Sequence, residues 1–169
     1  MTDAPPSPPG ATIPAMTTTA LDPFRPLLAA AKGLDLGDPA AAKAELERRF
    51  DPKGEAACAL ENTLKELLAA GEIANRGELP VRWGRVTKAS EDSAGFSIDV
   101  VLMTGPGPRH RHPAGEVNYC IAIDGEPTFD AEPPGWVVKR PDSTHIPTVA
   151  GGTMLIAYLL PEGAIEFLK

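Results

Sequence analysis

The chain has 169 residues, which is enough for one domain with a substantial core and a small helical extension. Its formal net charge of −7 argues against nucleic acid as a partner, although a few arginines can still give a pocket a positive field. No apolar run approaches the roughly 20 residues of a membrane span, and the N-terminus lacks the layout of a signal peptide. We therefore expect no membrane partner and a cytoplasmic location. Two cysteines, Cys58 and Cys120, are expected to be buried in a helix and a strand, which fits a reducing compartment.

The first part of the chain divides into a tail and a helical segment. Residues 1–22 are rich in Pro, Thr, Ala and Gly and have too few apolar residues to form a face, which predicts a disordered tail. Residues 23–79 show helical patterning. Asp38 and Pro39 suit the start of one helix, and a leucine stripe marks a second helix that ends at Gly71. We interpret this segment as a helical cap on the rest of the protein or a contact in a homodimer.

Residues 80–169 have the patterning of short strands separated by turns. Turn signals include Asp124-Gly125 and Gly151-Gly152, and no helix is predicted between the strands. This pattern predicts a mainly β domain, an antiparallel β-barrel or double-sheet jelly roll, preceded by the N-terminal helical segment. The predicted strands are 82–89, 95–103, 116–123, 135–139, 145–149, 153–160 and 164–168.

All three histidines of the chain fall in a pattern typical of a metal site. His110, His112 and Glu116 form an H-x-H-x3-E motif, and His145 follows later in the chain. Side chains at i and i+2 of a strand project to the same face, so the first two imidazoles can share an ion. Imidazole and carboxylate together suit a divalent ion such as Fe2+, Mn2+, Zn2+ or Ni2+. The sequence therefore predicts one divalent metal held by these four residues.

The same residues carry a family resemblance. The glycine, histidine and glutamate spacing resembles the two motifs of the cupin superfamily, small β-barrels that bind a metal through three histidines and one glutamate. The stretches HRHPAGEVN (110–118), PPGWVV (133–138) and HIPTVAGG (145–152), behind a leucine-rich helical segment, resemble the 4-hydroxylaminobenzoate lyase family. That family converts 4-hydroxylaminobenzoate and water to 3,4-dihydroxybenzoate and ammonia. The resemblance implies a lyase of nitroaromatic catabolism with a small aromatic substrate, in which a Lewis-acidic ion activates the substrate and water.

Alternation along the strand that begins at Glu116 places two further side chains on the same inner face. Asn118 is a candidate catalytic residue beside Glu116, able to orient water or a substrate amine, and a purely structural role for its amide is equally open. Cys120 is expected to pack in the core. Glu126, Asp130 and Glu132 are expected to face solvent in a loop after a hairpin.

The substrate carboxylate calls for an arginine, because a guanidinium binds a carboxylate through two parallel hydrogen bonds. The first candidates are Arg82 and Arg111, with Arg85 a further possibility on the same strand as Arg82. Alternation points Arg111 away from the histidines, so a solvent-facing role stays open for it. Tyr158 is a candidate for contact with the substrate ring, with core packing as the alternative.

Two other functions use the same fold and ligands. One is a cupin dioxygenase that uses Fe2+ and oxygen on an aromatic substrate, since the metal ligands can be identical. The other is a non-enzymatic small-ligand-binding cupin in which the metal is structural. The intact set of four ligands, without an attached basic helix for DNA, favours an enzyme.

Overall fold

The computed structural model describes residues 20–169, and most of the predicted tail (residues 1–19) lies outside them. A 3-10 turn, Asp22–Phe24, leads into three helices and then nine strands. The helices are α1 (Arg25–Ala31), α2 (Pro39–Arg49) and α3 (Glu55–Ala69). The strands are β1 (Arg76–Glu78), β2 (Val81–Thr87), β3 (Phe96–Met103), β4 (His110–His112), β5 (Glu116–Phe129), β6 (Gly135–Lys139), β7 (Ser143–His145), β8 (Val149–Pro161) and β9 (Glu166–Phe167).

Local signals fix the ends of the two longer helices. The side chain of Asp38 accepts a hydrogen bond from the backbone N–H of Ala41 at 3.2 Å, which caps α2, and Pro39 occupies its first turn. After α3, Gly71 adopts a φ of +75° and its N–H donates to the Leu68 carbonyl. The N–H of Glu72 donates to the Leu67 carbonyl, which completes the hydrogen-bond pair of a glycine C-terminal cap. Both predicted helix boundaries are confirmed.

The strands form two antiparallel sheets, which confirms the mainly β fold. The large sheet has six strands in the order β1-β2-β3-β8-β5-β6, and the small sheet has three in the order β7-β4-β9. Within residues 20–169, ladder hydrogen bonds do not join the two sheets into one closed barrel. The arrangement is a double-sheet, jelly-roll-like one in which the small sheet lies over one face of the large sheet.

Two predicted strand ends are wrong, because β5 and β8 continue through their expected turns. Their pairing passes through register shifts between Ala122 and Asp124 and between Gly125 and Thr128. Gly125 lies opposite Gly152 in this pairing. A Cβ added to Gly152 would be 2.0 Å from the Asp124 carbonyl oxygen. Glycines at these positions let the two backbones approach closely enough for the ladder to continue as a bulged pair.

The predicted strand 145–149 is also wrong. Strand β7 ends at His145 and β8 begins at Val149, with Pro147 between them. Proline has no N–H to donate to a ladder, so it separates the two strands. The segment therefore places His145 at the end of a short strand in the small sheet, facing the interior.

The first part of β5, residues 116–121, is buried on both faces of the sheet. Val117, Tyr119 and Ile121 belong to the core that includes the helices, and the Trp136 indole N–H on β6 donates to the Phe50 carbonyl at 2.9 Å after α2. We call this helix-covered side the outer face. The alternate β5 side chains point to the other side, toward the small sheet, which we call the inner face. The helical segment thus caps the large sheet, one of the two roles predicted for it.

Both cysteines are free thiols, but only one is buried as predicted. Cys120 is 1% exposed on the inner face of β5. Cys58 is exposed on α3, because it lies outside the leucine stripe that packs on the sheet. Among residues 20–169, no helix is long and apolar enough to cross a membrane.

Candidate metal centre

The four predicted metal ligands come together at the meeting of the two sheets. His110 and His145 are cross-strand partners on β4 and β7, and His112 lies two residues after His110 on the same face. Gly115, with a φ of +88°, turns the chain from β4 into β5 so that Glu116 faces the histidines. An added Cβ at this glycine would lie 2.9 Å from the Lys139 carbonyl oxygen, so a side chain would strain the turn.

The ligand atoms converge on one point. One nitrogen or oxygen atom from each of His110, His112, Glu116 and His145 lies within 4.8 Å of all the others. The Nε2 atom of His145 is 2.9 Å from Nε2 of both His110 and His112. Glu116 Oε2 is 3.1 Å from His112 Nε2 and 3.6 Å from His145 Nε2. Glu116 and His112 are fully buried, and the cluster suits a divalent metal.

The outer hydrogen bonds of two histidines show which of their nitrogens carries the proton. His110 Nδ1 lies 3.0 Å from the Pro108 carbonyl oxygen, and His145 Nδ1 lies 2.6 Å from Asp130 Oδ2. Both oxygens only accept, so each Nδ1 is the donor and each neutral imidazole directs an Nε2 lone pair inward. Two lone pairs 2.9 Å apart repel each other unless a cation lies between them.

The spacing of the nitrogens also matches a metal's preferred geometry. Ligands about 2.0–2.1 Å from a shared ion are about 2.9 Å apart when they subtend a right angle at it, and about 3.4 Å apart at a tetrahedral angle. The two closest nitrogen pairs are 2.9 Å apart. The Glu116 Oε2 distances of 3.1 and 3.6 Å extend this range, so the four ligand atoms have the spacing of atoms that share one ion.

Burial and charge set the protonation of two groups in the cluster, His110 and Glu116. Desolvation lowers the pKa of His110 to about 4, so this imidazole is neutral near pH 7. Burial alone would raise the pKa of Glu116, but the hydrogen bond and charge of His112, followed by the charge of His145, lower it overall. A neutral His110 imidazole and an ionised Glu116 carboxylate are the forms that bind a divalent ion.

Sequence reasoning missed one residue of the site. Asp130 was expected to face solvent, but its side chain is only 14% exposed and contacts His145. The expectation was wrong because β5 continues to Phe129 and brings the following turn against β7. Lys139 Nζ lies 2.9 Å from Asp130 Oδ2, so the carboxylate also has a cationic partner. The predicted strand ended at residue 123, so no signal in the sequence placed Asp130 beside His145.

Asn118 and Tyr158 lie deeper on the inner face. Asn118 is fully buried, and its Nδ2 donates to the Val137 carbonyl at 3.3 Å. Its Oδ1 has no hydrogen-bond partner among the described residues. The Tyr158 hydroxyl donates to Met103 Sδ at 3.4 Å. Asn118 therefore keeps a free acceptor beside Glu116 on the same strand.

A cavity of about 370 Å³ opens beside the cluster. His110 forms part of its wall, and Arg85 with Asp99 supplies its ion pair. The walls are otherwise mainly apolar, with Trp83, Met103, Tyr158 and Phe167 among them. Such a space is in the size range of sites for small ligands.

The two first candidates for the carboxylate contact, Arg82 and Arg111, lie away from this cavity, whereas the further candidate Arg85 lines it. Arg82 points to the other face of β2, where its Nε donates to the Ala74 carbonyl at 3.1 Å. Arg111 pairs with the carboxylates of Asp142 and Glu166. Arg85 is two and four residues from cavity-lining Trp83 and Val81, so alternation places it on the cavity side.

Comparisons with known proteins identify the family of this chain. The family model for 4-hydroxylaminobenzoate lyase (PnbB) matches residues 24–167. The 4-hydroxylaminobenzoate lyases of Pseudomonas putida and a Nocardioides species are 34% and 33% identical over 48% and 51% of this chain. The matches span 49% and 56% of those relatives, so the chain aligns with about half of their length. An RmlC-like cupin structure from Ralstonia eutropha is similar over 54% of this chain and 62% of its own, at 17% identity and a TM-score of 0.42. The chain belongs to the 4-hydroxylaminobenzoate lyase family.

Proposed function

We propose that this protein is a metal-dependent lyase that converts 4-hydroxylaminobenzoate and water to 3,4-dihydroxybenzoate and ammonia. The observation that carries the proposal is the cluster of inward-facing imidazole lone pairs and one carboxylate at the wall of an apolar cavity. Family membership supplies the reaction. The conversion is redox-neutral: the N–O bond breaks, a C–O bond forms on the adjacent ring carbon, and the resulting imine is hydrolysed to release ammonia.

His110, His112, Glu116 and His145 would hold the ion, of which Fe2+, Mn2+, Zn2+ and Ni2+ are the candidates. When bound, the ion supplies Lewis acidity that polarises the substrate's N–O group and lowers the pKa of water. The mainly apolar walls strengthen the polar contacts that a ligand makes in the cavity.

Glu116 and Asn118 are the proposed catalytic side chains beside the ion. Glu116 carries the negative charge of the buried site, and its Oε1 has no hydrogen-bond partner among the described residues. That oxygen can accept a proton from water that attacks the ring or the imine. The free Oδ1 of Asn118 can accept a hydrogen bond from the substrate's N–H and so orient it.

Arg85 is the proposed contact for the substrate carboxylate, in place of Arg82 and Arg111. Its Nε and Nη2 bind Asp99 at 3.0 and 3.3 Å, which leaves Nη1 for a ligand. The cavity walls thus contain the Arg85 cation and the His110 imidazole among mainly apolar side chains. This layout suits a benzoate with its reactive group opposite the carboxylate, and Trp83, Phe167 and Tyr158 would contact the ring.

The test is turnover of 4-hydroxylaminobenzoate by metal-loaded protein under anaerobic conditions. We expect 3,4-dihydroxybenzoate and one equivalent of ammonia, with neither oxygen nor a nicotinamide cofactor, and no turnover by His112→Ala. Labelled water would show whether the new ring oxygen comes from solvent. Strict dependence on oxygen without release of ammonia would contradict the proposal and favour the dioxygenase. Ligand binding with no turnover of any hydroxylamino-arene would favour the non-enzymatic binding protein.

We also propose an oligomeric state, a location and a domain organisation for the protein. A homodimer and a cytoplasmic location stay predictions, as do the limits of the tail (1–22), the helical segment (23–79) and the β domain (80–169). Leu21 is 6% exposed and part of the helix-side core. A deletion that tests the tail should therefore end before this residue.

A further inference from the structure

We propose that Asp130 is a positioning residue that fixes the tautomer and orientation of His145 and thereby sets the affinity of the site for its metal. The inference rests on the metal site of the proposed function, but it does not depend on the substrate or the reaction. Its basis is the 2.6 Å contact between Asp130 Oδ2 and His145 Nδ1, on the far side of the imidazole from the cluster.

Asp130 is itself held rigidly. Oδ2 accepts from His145 Nδ1 at 2.6 Å and from Lys139 Nζ at 2.9 Å, and Oδ1 accepts from the Thr148 N–H at 2.9 Å. The backbone N–H of Asp130 donates to the Thr148 carbonyl at 2.9 Å. The backbone has a φ of +48°, a conformation that aspartate and asparagine tolerate better than most residues. The carboxylate therefore has one available position, against His145.

This contact decides which nitrogen of His145 can bind the ion. A carboxylate only accepts hydrogen bonds, so it retains the imidazole proton on Nδ1 and leaves the Nε2 lone pair directed at the cluster. A neutral imidazole that lost this partner could move its proton to Nε2, where it would block the metal. Lys139 offsets the charge of Asp130 from β6 and lies 5.9 Å from the centre of the Phe129 ring.

His145 differs from the other two histidines in how its ring is held. The backbone carbonyl of Pro108 holds the His110 ring, and substitution of a side chain cannot remove that carbonyl. Nδ1 of His112 has no hydrogen-bond partner among the described residues. His145 is thus the ligand whose outer contact can be removed by a single, nearly isosteric substitution.

The experiment compares Asp130→Asn with wild type in the full chain. Nitrogen-15 NMR of metal-free protein reports the tautomer of each of the three histidines, and competition with a chelator measures Zn2+ affinity. We expect wild-type His145 to carry its proton on Nδ1 and Asp130→Asn to lose that preference. We also expect Asp130→Asn to bind Zn2+ about 10- to 100-fold more weakly, the usual effect of losing such an outer contact.

Glu132→Gln is the matched control, because it removes a carboxylate from the same turn. Glu132 pairs with Lys43 at 3.2 Å rather than with a histidine. The Zn2+ affinity and the histidine tautomers of the Glu132→Gln protein should stay as in wild type. Lys139→Met should keep the His145 tautomer and weaken Zn2+ binding less than Asp130→Asn does, since Asp130 remains bonded to the ring.

Three outcomes would overturn the inference. The first is a wild-type His145 that carries its proton on Nε2 in metal-free protein, a result that requires no variant to fold. The second is an Asp130→Asn protein with unchanged tautomer and Zn2+ affinity. The third is an equal loss of affinity in Glu132→Gln. A wild type that binds Zn2+ but does not turn over 4-hydroxylaminobenzoate, together with weaker Zn2+ binding and an altered His145 tautomer in Asp130→Asn, would refute the proposed lyase and preserve the positioning role.

Discussion

The outer and inner faces of the six-stranded sheet are built from the same strands but have opposite characters. On the outer face, Tyr119 and Trp136 pack edge to face at 4.9 Å between ring centres and contact Phe50 beyond α2. On the inner face, Glu116 and Asn118 are equally buried but polar, and Glu116 Oε2 lies 3.1 Å from His112 Nε2. Successive residues of β5 therefore alternate between a packed core and a polar site.

This contrast shows that burial has opposite effects on folding stability for the two sets of side chains in one strand. A buried apolar side chain stabilises the fold through the surface it removes from water. A buried carboxylate is unfavourable for folding unless protein groups and a ligand compensate its charge. We infer that apolar packing on the outer face offsets the unfavourable burial of polar groups on the inner face. Substitutions on the two faces should therefore have separable effects on stability and on metal binding.

The largest effect on folding should come from Trp136→Ala on the outer face. This side chain is 1% exposed, and its loss should lower the free energy of unfolding by about 3–5 kcal/mol. Trp136→Phe should cost less, because it keeps an aromatic ring and loses the hydrogen bond to Phe50. Urea unfolding measures both. A cost below about 1 kcal/mol for the alanine variant would show that the helices do not anchor the sheet.

Adjacent residues of β5 give the sharpest separation of the two faces. Val117→Ala should lower the free energy of unfolding by about 2 kcal/mol and leave metal affinity unchanged. Glu116→Gln should weaken metal binding by more than about a hundredfold, and it should abolish the rise in melting temperature that added Zn2+ gives wild type. Unfolding curves with and without Zn2+ measure both. If Zn2+ raised the melting temperature of Glu116→Gln as much as that of wild type, the inner face would not be the metal site.

A smaller effect is expected at the cavity wall. Arg85→Gln should raise KM for 4-hydroxylaminobenzoate about 10- to 100-fold, since it removes a charge-assisted pair worth about 1.5–3 kcal/mol. Hydroxylaminobenzene, which lacks the carboxylate, should be a poor substrate for both proteins. Arg111→Gln and Arg82→Gln are the controls and should behave as wild type. A raised KM in Arg111→Gln or Arg82→Gln, without one in Arg85→Gln, would show that the substituted control arginine binds the substrate carboxylate.

The smallest effect should follow deletion of residues 1–19. Their Pro- and Thr-rich composition offers too little apolar surface to offset the entropy of ordering them. The melting temperature and turnover should stay close to those of the full chain in a thermal scan and a steady-state assay. A large fall in melting temperature would reveal a third packed surface beyond the two faces of the sheet.

Local signals in the sequence were sufficient for the helices and the metal cluster. Helix ends depend on nearby residues, such as Asp38 at the start of α2 and Gly71 after α3. The metal cluster was predictable because His110 and His112 have strand spacing and the chain has only one other histidine. The mainly antiparallel fold followed from the run of short strands and turns.

Features that depend on pairing over long distances were not predictable. Gly125 and Gly152 have the composition of turns, yet each lies inside a long strand because its partner is also a glycine. That error placed Asp130 in solvent, and it concealed the contact with His145. Arg85 could not be preferred to Arg82 until the cavity showed which face of β2 lines it.

The most direct test of the central claim is the metal content of purified protein, measured by elemental analysis after loading and desalting. The account predicts one divalent ion per chain in wild type, because four buried ligand atoms converge within 4.8 Å. It predicts none in the His110→Ala/His112→Ala double variant, provided that circular dichroism shows the variant to be folded. One ion per chain retained by the folded double variant would contradict the assignment of the inner face as the metal site.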